Sequence, residues 1–140
     1  MEVVYYLDSD LNKCPVKKYL EYFLPSKSDN SKMEDRKNHI LATIDQKIQF
    51  VKENPGRQAP FLSTLHNHNF IEIKNGKDKN TVIRILYFIF DNKIILLNAF
   101  EKPSTYDTDK TKKEVEKHYI ITDVYVSRFK KTPNSYESYK

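Results

Sequence analysis

The stretch TVIRILYFIFDNKIILL, residues 81–97, decides the fold of this chain. Two runs of β-branched and aromatic residues flank Asp91 and Asn92, and a polar pair between such runs is typical of a two-residue hairpin turn. A tight turn there pairs Phe90 with Lys93, so the stretch predicts two long antiparallel strands. Arg84 is the unusual residue, because a guanidinium in so apolar a run needs a partner or a function.

Shorter patterns on both sides complete the order of elements. EVVYYL at 2–7 is typical of a strand, and apolar residues at helical spacing predict helices over 15–24 and 35–53. NFIEIKN at 69–75 alternates like a half-buried strand, which makes three successive antiparallel strands over 69–100. A similar helical spacing predicts a C-terminal helix. The predicted class is α+β: a small antiparallel sheet with two N-terminal helices packed on one face and a C-terminal helix.

Length and composition indicate one domain over residues 1–130, followed by a flexible tail over 131–140. The formal net charge of +5 and the pI near 9.1 permit a polyanionic partner. The single cysteine, Cys14, cannot form an internal disulfide, and the segment MEVVYYLDSD has neither the basic nor the apolar region of a signal peptide. We therefore expect a cytoplasmic protein. No apolar run is long enough to cross a membrane, since DNK at 91–93 interrupts the longest one.

The two-residue period of a strand places Arg84 on a defined face of the sheet. With a tight turn, the residues that share this face are Leu86, Phe88, Leu97 and Ala99. A symmetric turn through NGKDKN at 75–80 then brings Glu72 opposite Arg84 and leaves Lys74 on the same face. Charge therefore collects at one end of this face.

Two interpretations of Arg84 remain open at this point. In the first, Arg84 forms an ion pair with Glu72 at the rim of the sheet. In the second, Arg84 binds a phosphate, because a planar fork of donors on a stiff strand suits an anionic oxygen. The lysines that would converge on the same rim are Lys74, Lys77, Lys79 and Lys102.

Four segments carry a resemblance to the RelE/HigB-like toxins of type II toxin–antitoxin systems, and especially to the phage-derived HigB-like branch of the RelE/ParE superfamily. The segments are CPVKKYLEYF (14–23), FIEIK (70–74), VIRILYFIF (82–90) and IILLNAFEK (94–102). They resemble, in order, the family's first helix, its L-x-E-L-R strand, its Y-R-I-L-Y-F strand and its last strand with the exit that follows. The resemblance implies a RelE-like fold in a ribosome-dependent endoribonuclease that cuts messenger RNA. It also implies that no metal or cofactor is used and that a helix-turn-helix antitoxin neutralises the toxin.

The resemblance also implies roles for individual residues. Arg84 matches the arginine of the Y-R strand, Lys74 stands where the family has the arginine of E-L-R, and Lys102 matches the first lysine of the F-x-K-K exit. These residues are expected to orient the RNA and to stabilise charge while the ribose 2′-hydroxyl attacks the adjacent phosphate. Lys77 and Lys79 are expected to contact RNA.

The chain departs from the family pattern at the end of the last strand. Pro103 replaces the second lysine of the exit, Asn98 and Ala99 replace a His-Gly pair, and STYDTDK at 104–110 replaces a more basic loop. These departures keep an alternative open, in which the chain is a noncatalytic toxin-like binding module or inhibits another target such as DNA gyrase, as the ParE branch does.

Other candidate site residues lie outside this pattern. His66 and His68 have the spacing of two ligands on one strand face, and either is a possible general base. Because no cluster of carboxylates or cysteines is near them in sequence, the sequence predicts no metal site. Asp107 and Asp109 suggest a cation-binding loop, but a role for Asp109 as the helix cap explains that residue without a ligand.

A toxin must be silenced in the cell that makes it, so we expect an antitoxin chain to cover part of the surface. The expected contact is the C-terminal helix with its aromatic residues, which are Tyr119, Tyr125 and Phe129.

Overall fold

The computed structural model describes residues 1–104 and 108–139. The elements in chain order are β1 (Glu2–Tyr6), α1 (Pro15–Leu20) with a 3-10 turn (Glu21–Phe23), α2 (Ser31–Glu53), β2 (Leu62–Thr64), β3 (Ile71–Gly76), β4 (Thr81–Phe90), β5 (Lys93–Pro103), α3 (Asp109–Lys131) and β6 (Tyr136–Ser138). The strands form one sheet in the order β2-β3-β4-β5-β1-β6. The α+β class is confirmed. The sheet is mixed, however, because β1 pairs with β5 in parallel.

The helices cover both faces of this sheet. Helices α1 and α2 pack on one face, as predicted, and their buried residues include Val16, Ile44 and Ile48. Helix α3 packs on the other face, where Val126 and Phe129 are buried. Because the strands between these helices are apolar on both sides, the central hairpin is the middle layer of a three-layer domain.

The turn between β4 and β5 has the predicted tight geometry. Asp91 and Asn92 both have positive φ, at 53° and 58°. Two consecutive left-handed residues define a type I′ turn, and Asp and Asn are the residues other than glycine that adopt this conformation most readily. The predicted pairing of Phe90 with Lys93 is confirmed.

A β-bulge interrupts the hairpin in its middle. The strands pair regularly as far as Tyr87 and Leu96, but the next pair is Leu86 with Asn98. Leu97 is therefore the extra residue of β5. An extra residue in one strand reverses which of its later side chains point to each face.

Beyond the bulge, Arg84 lies opposite Phe100 and Ala99 lies opposite Ile85. Ala99 packs with the core on the α1–α2 side. The prediction that Ala99 shares the face of Arg84 is therefore wrong, because it assumed a hairpin without a bulge. Leu97 does share the face of Arg84, since it packs in the core under α3.

The register between β3 and β4 also differs from the prediction. Lys74, not Glu72, is the residue opposite Arg84, and Glu72 lies opposite Leu86. The difference is two residues, so each side chain stays on its predicted face. Glu72 and Lys74 therefore both lie on the face that carries Arg84.

Two short strands lie in segments where the sequence predicts none. Strand β2 forms within the connection at 57–68 and pairs with β3 at one edge of the sheet. Strand β6 lies within the segment predicted as a tail and pairs with β1 at the other edge. Helix α2 begins at Ser31, after Asn30 caps it, and so starts earlier than predicted. None of the helices in the described ranges has the length and apolarity that a membrane span requires.

Candidate functional site

Arg84 forms a buried ion pair with Glu72. The Arg84 Nη1 atom lies 2.6 Å from the Glu72 Oε1 atom, and the two side chains are only 12% and 2% exposed. The Tyr119 hydroxyl, from α3, donates to the other carboxylate oxygen of Glu72 at 2.9 Å. In the described part of the chain, the buried Nε atom of Arg84 has no hydrogen-bond partner. The ion pair of the first interpretation is therefore present, and the Nε–H donor of Arg84 is left without a partner among the described residues.

The three residues predicted to hold a phosphate lie on neighbouring strands of one face. Lys74 on β3 is directly opposite Arg84 on β4. Phe100 on β5 is opposite Arg84 on the other side, and Lys102 follows two residues later on the same face. Lys102 is buried and Lys74 is half-buried. The register therefore puts Arg84, Lys74 and Lys102 on neighbouring strands of the face on which α3 packs.

The bulge at Leu97 is what places Lys102 on this face. Without the extra residue, the regular alternation of β5 would put Glu101 beside Arg84 and turn Lys102 toward α1. In the structure, Glu101 instead accepts a hydrogen bond from the Tyr19 hydroxyl of α1 at 2.7 Å. The bulge therefore places Lys102, and not Glu101, on the face of Arg84.

The other two lysines of the predicted cluster lie elsewhere. The Lys77 Nζ atom is 3.0 Å from Glu101, on the side of the sheet that faces α1. Lys79 is exposed in the loop between β3 and β4. The structure therefore does not bring Lys77 to the face of Arg84.

His68 is fixed beside the Glu72–Tyr119 contact. Its Nδ1 atom lies 2.7 Å from the Asp123 Oδ2 atom, and its Nε2 atom lies 3.7 Å from Glu116. The imidazole ring is 5.4 Å from the ring of Tyr119, centroid to centroid. A carboxylate on one ring nitrogen orients an imidazole and selects its tautomer, which is the arrangement that a general base requires.

The remaining candidates are not part of this arrangement. His66 is exposed, and among residues 1–104 and 108–139 no three His, Cys, Asp or Glu side chains form a group that could hold a metal ion. Asp107 lies outside the described residues. The cap of α3 is Thr108, which accepts from the Thr111 backbone at 3.3 Å, so the prediction of Asp109 as the cap is wrong by one residue.

His118 is a further residue at this site that the sequence did not single out. Its ring stacks on Phe100, with 4.3 Å between the ring centroids and 4° between the planes. Burial lowers the pKa of His118, although the nearby Glu114 carboxylate acts in the opposite direction. Phe100 is the residue opposite Arg84, so the His118 ring lies one layer above the cluster.

The aromatic residues of α3 do not form the exposed surface that we expected. Tyr119 and Phe129 are buried against the sheet, and Tyr125 is half-buried beside Tyr6, 4.8 Å from it between ring centroids. The prediction that these side chains are exposed is wrong for Tyr119 and Phe129, because they cover the apolar face of the chain's own sheet. The spacing of Tyr119 with Val126 and Phe129 was the signal for this, since it is the spacing of one helix face.

A comparison with protein families identifies a matching family model. The model of the family described as "Phage derived protein Gp49-like (DUF891)" matches residues 32–119, which is more than half of the 140-residue chain. This family is toxin-like and is associated with RelE/HigB-type toxins. No curated protein and no solved structure matches the chain significantly. The matched region contains Arg84, Lys74, Lys102 and Tyr119.

Proposed function

Because the chain belongs to the Gp49-like family of phage-derived proteins, we propose that it is the toxin of a toxin–antitoxin pair and that it cleaves messenger RNA on the ribosome. The cleavage would need neither a metal nor a cofactor, since the ribose itself supplies the nucleophile. A cognate antitoxin, of the helix-turn-helix class, would neutralise the enzyme. The cell compartment for this reaction is the cytoplasm.

The observation that carries the proposal is the register that places Arg84, Lys74 and Lys102 on adjacent strands of one face. When a ribose 2′-hydroxyl attacks the neighbouring phosphate, the pentacoordinate transition state carries more negative charge than the substrate. Fixed cationic donors therefore stabilise the transition state more than the bound substrate. Lys74 replaces the family's arginine and serves as a point charge. Lys79, exposed in the β3–β4 loop, would contact the RNA backbone farther from the reacting phosphate.

His68 is the general base that the geometry supports. Asp123 holds its Nδ1 atom at 2.7 Å, so the ring has a fixed orientation and tautomer. In the proposed reaction the 2′-hydroxyl proton passes to this imidazole, and the 5′-oxygen of the next nucleotide leaves with a proton from solvent or a second acid. His66 is exposed, and no carboxylate of the described residues forms an ion pair with it.

One observation favours a second candidate function. Glu72 neutralises Arg84 directly, and α3 covers the face on which both lie. In the second candidate function, the ion pair with Glu72 is the whole role of Arg84, and that role is structural. The chain then acts by binding alone, as a toxin-like module or as an inhibitor of another target such as DNA gyrase.

The first prediction tests the cleavage proposal through Lys74. Truncation of this half-buried side chain leaves the Arg84–Glu72 pair intact, so Lys74→Ala should fold normally. The loss of one donor to a developing phosphate charge should reduce cleavage by about 100-fold to 1,000-fold. The measurements are growth after induced expression, mapping of messenger RNA ends, and thermal stability of the purified variant.

The matched control is Lys52→Ala, which removes the same charge from an exposed position on α2. It should leave both growth arrest and cleavage unchanged. Growth arrest without new RNA ends would contradict the nuclease and favour the binding module. Full cleavage by Lys74→Ala would instead show that Lys74 has no role in the cleavage.

A further inference from the structure

The outward side of α3 carries a patch of exposed aliphatic side chains. Ile120, Ile121 and Val124 are 55%, 44% and 43% exposed. They are neighbours on the helix surface, because residues three and four positions apart are adjacent there. Single exposed aliphatics are ordinary, whereas a contiguous group of them marks a surface that another molecule covers.

The fold itself does not use this patch. Helix α3 packs on the sheet through its opposite side, and its buried residues are Val115, Tyr119, Thr122, Val126 and Phe129. Val124 lies two residues from both Thr122 and Val126, which at 100° per residue is about half a turn from the buried side. The patch is therefore centred on the side of α3 that points away from the sheet.

Basic residues frame the patch along the helix axis. Lys117 and Lys131 lie two turns before and after Val124, and Lys113 lies one turn before Lys117. All three are exposed, and within the described residues none of them has an ion pair with a carboxylate. The acids of the neighbouring flank, Glu116 and Asp123, lie beside His68. An apolar centre with cationic ends suits a partner that is apolar and acidic.

We propose that this side of α3 binds an acidic amphipathic helix of the antitoxin. The proposal rests on the proposed function, which requires a neutralising protein. A second copy of the chain fits poorly, because an antiparallel contact centred on Val124 would place Lys117 of one copy against Lys131 of the other. Such like-charge contacts oppose association, while a row of carboxylates would complement both ends.

The test uses the product of the reading frame next to this chain's gene as the probe. Val124→Glu and Ile120→Glu place a carboxylate in the patch without altering a buried residue, so both variants should fold. Each should weaken binding of the probe by about tenfold or more, as measured by calorimetry. If the unmodified chain arrests growth, all the proteins compared also carry Lys74→Ala. Lys117→Glu should weaken binding as well, and added salt should weaken the complex of the unmodified chain.

The matched control is Met33→Glu on α2. Met33 is 46% exposed and lines a separate cavity of about 520 Å³ between α1, α2 and the β3–β4 hairpin, together with Tyr19 and Tyr22. Probe binding should be unchanged in this variant. If Met33→Glu breaks the complex and Val124→Glu does not, the cavity is the antitoxin site and the proposal is wrong.

The outcomes separate this proposal from the proposed function. If the probe relieves growth arrest equally for the unmodified chain and for Val124→Glu, the outward side of α3 is not the antitoxin site. The toxin function would still stand. If Val124→Glu lost binding to an RNA oligonucleotide or to phosphatidylserine vesicles but still bound the probe, the proposed antitoxin contact on α3 would also be overturned. A chain that neither arrests growth nor binds the probe would overturn both.

Discussion

Arg84 shows how one charged side chain is kept in an apolar strand. Its partner Glu72 is almost fully buried, and Tyr119 satisfies the second carboxylate oxygen. A buried pair of this kind adds little net stability over apolar residues, but the loss of one partner leaves an uncompensated charge in the interior. Arg84→Ala therefore tests stability as much as chemistry.

We therefore predict that Arg84→Ala lowers the free energy of unfolding by about 3–5 kcal/mol, because Glu72 remains buried without its cation. Urea denaturation measures this loss. Arg84→Lys should recover part of the stability and still cleave poorly, because an ammonium group cannot reproduce the planar fork.

The control for Arg84→Ala is the double variant Arg84→Met with Glu72→Leu. It removes both charges and should recover most of the stability, while RNA cleavage stays lost. If Arg84→Ala alone is as stable as the unmodified chain, the ion pair has no structural role and the guanidinium is retained for the phosphate alone.

At the scale of single elements, the β4–β5 hairpin determines the site through two irregular features. The type I′ turn sets the pairing near Phe90 and Lys93. The bulge then turns both Leu97 and Asn98 toward α3, where the Asn98 side chain donates to the Thr122 hydroxyl at 3.1 Å. Every later residue of β5, including Lys102, has its orientation from this bulge.

The turn gives a prediction that concerns stability alone. Asn92 has a φ of 58°, a conformation that β-branched residues adopt at a cost. Asn92→Val should therefore lower the free energy of unfolding by about 1–2 kcal/mol. Asn92→Gly, at the same position, should be neutral or slightly stabilising, because glycine adopts positive φ freely. Urea denaturation of the two variants would contradict the turn assignment if valine were tolerated as well as glycine.

At the scale of the whole molecule, the last residues protect the edge of the sheet. Strand β6 pairs with β1, the Ser135 hydroxyl donates to the Leu7 carbonyl at 2.6 Å, and the Tyr139 hydroxyl donates to Asp45 of α2 at 2.6 Å. The segment thereby connects the first strand to α2. An unprotected edge strand is a template for association with other chains.

A chain that ends at residue 132 should thus be less stable and more prone to self-association than the longer chain. At about 1 kcal/mol for each hydrogen bond removed, we expect a loss of a few kcal/mol and a lower Tm. Size-exclusion chromatography with light scattering should also show association through the uncovered β1. Tyr139→Phe is the control, since it removes only the contact with Asp45 and should cost about 1 kcal/mol without association. A truncated chain that is monomeric and equally stable would show that β6 is dispensable.

The sequence by itself determined the features that depend on neighbours along the chain. These are the hairpin at Asp91 and Asn92, the three successive strands over 69–100, the helices, and the face shared by Glu72 and Arg84. Local periodicity and turn chemistry suffice for them, because each signal lies within one element or one tight connection. The same signals placed Lys74 on the face of Arg84, although they put Glu72, not Lys74, directly opposite Arg84.

Only the tertiary structure decided which residues complete the site and which surfaces stay free. The bulge at Leu97, the parallel pairing of β1 with β5, and the burial of Tyr119 all depend on contacts between segments distant in sequence. A bulge adds one residue without changing the apolar composition, so no periodic pattern predicts it, yet it reverses the orientation of every later side chain in β5. The side of α3 that faces solvent was likewise set by the sheet beneath it. The spacing of Tyr119, Val126 and Phe129 groups them on one helix face, but only the sheet that this face packs against decides that it is buried.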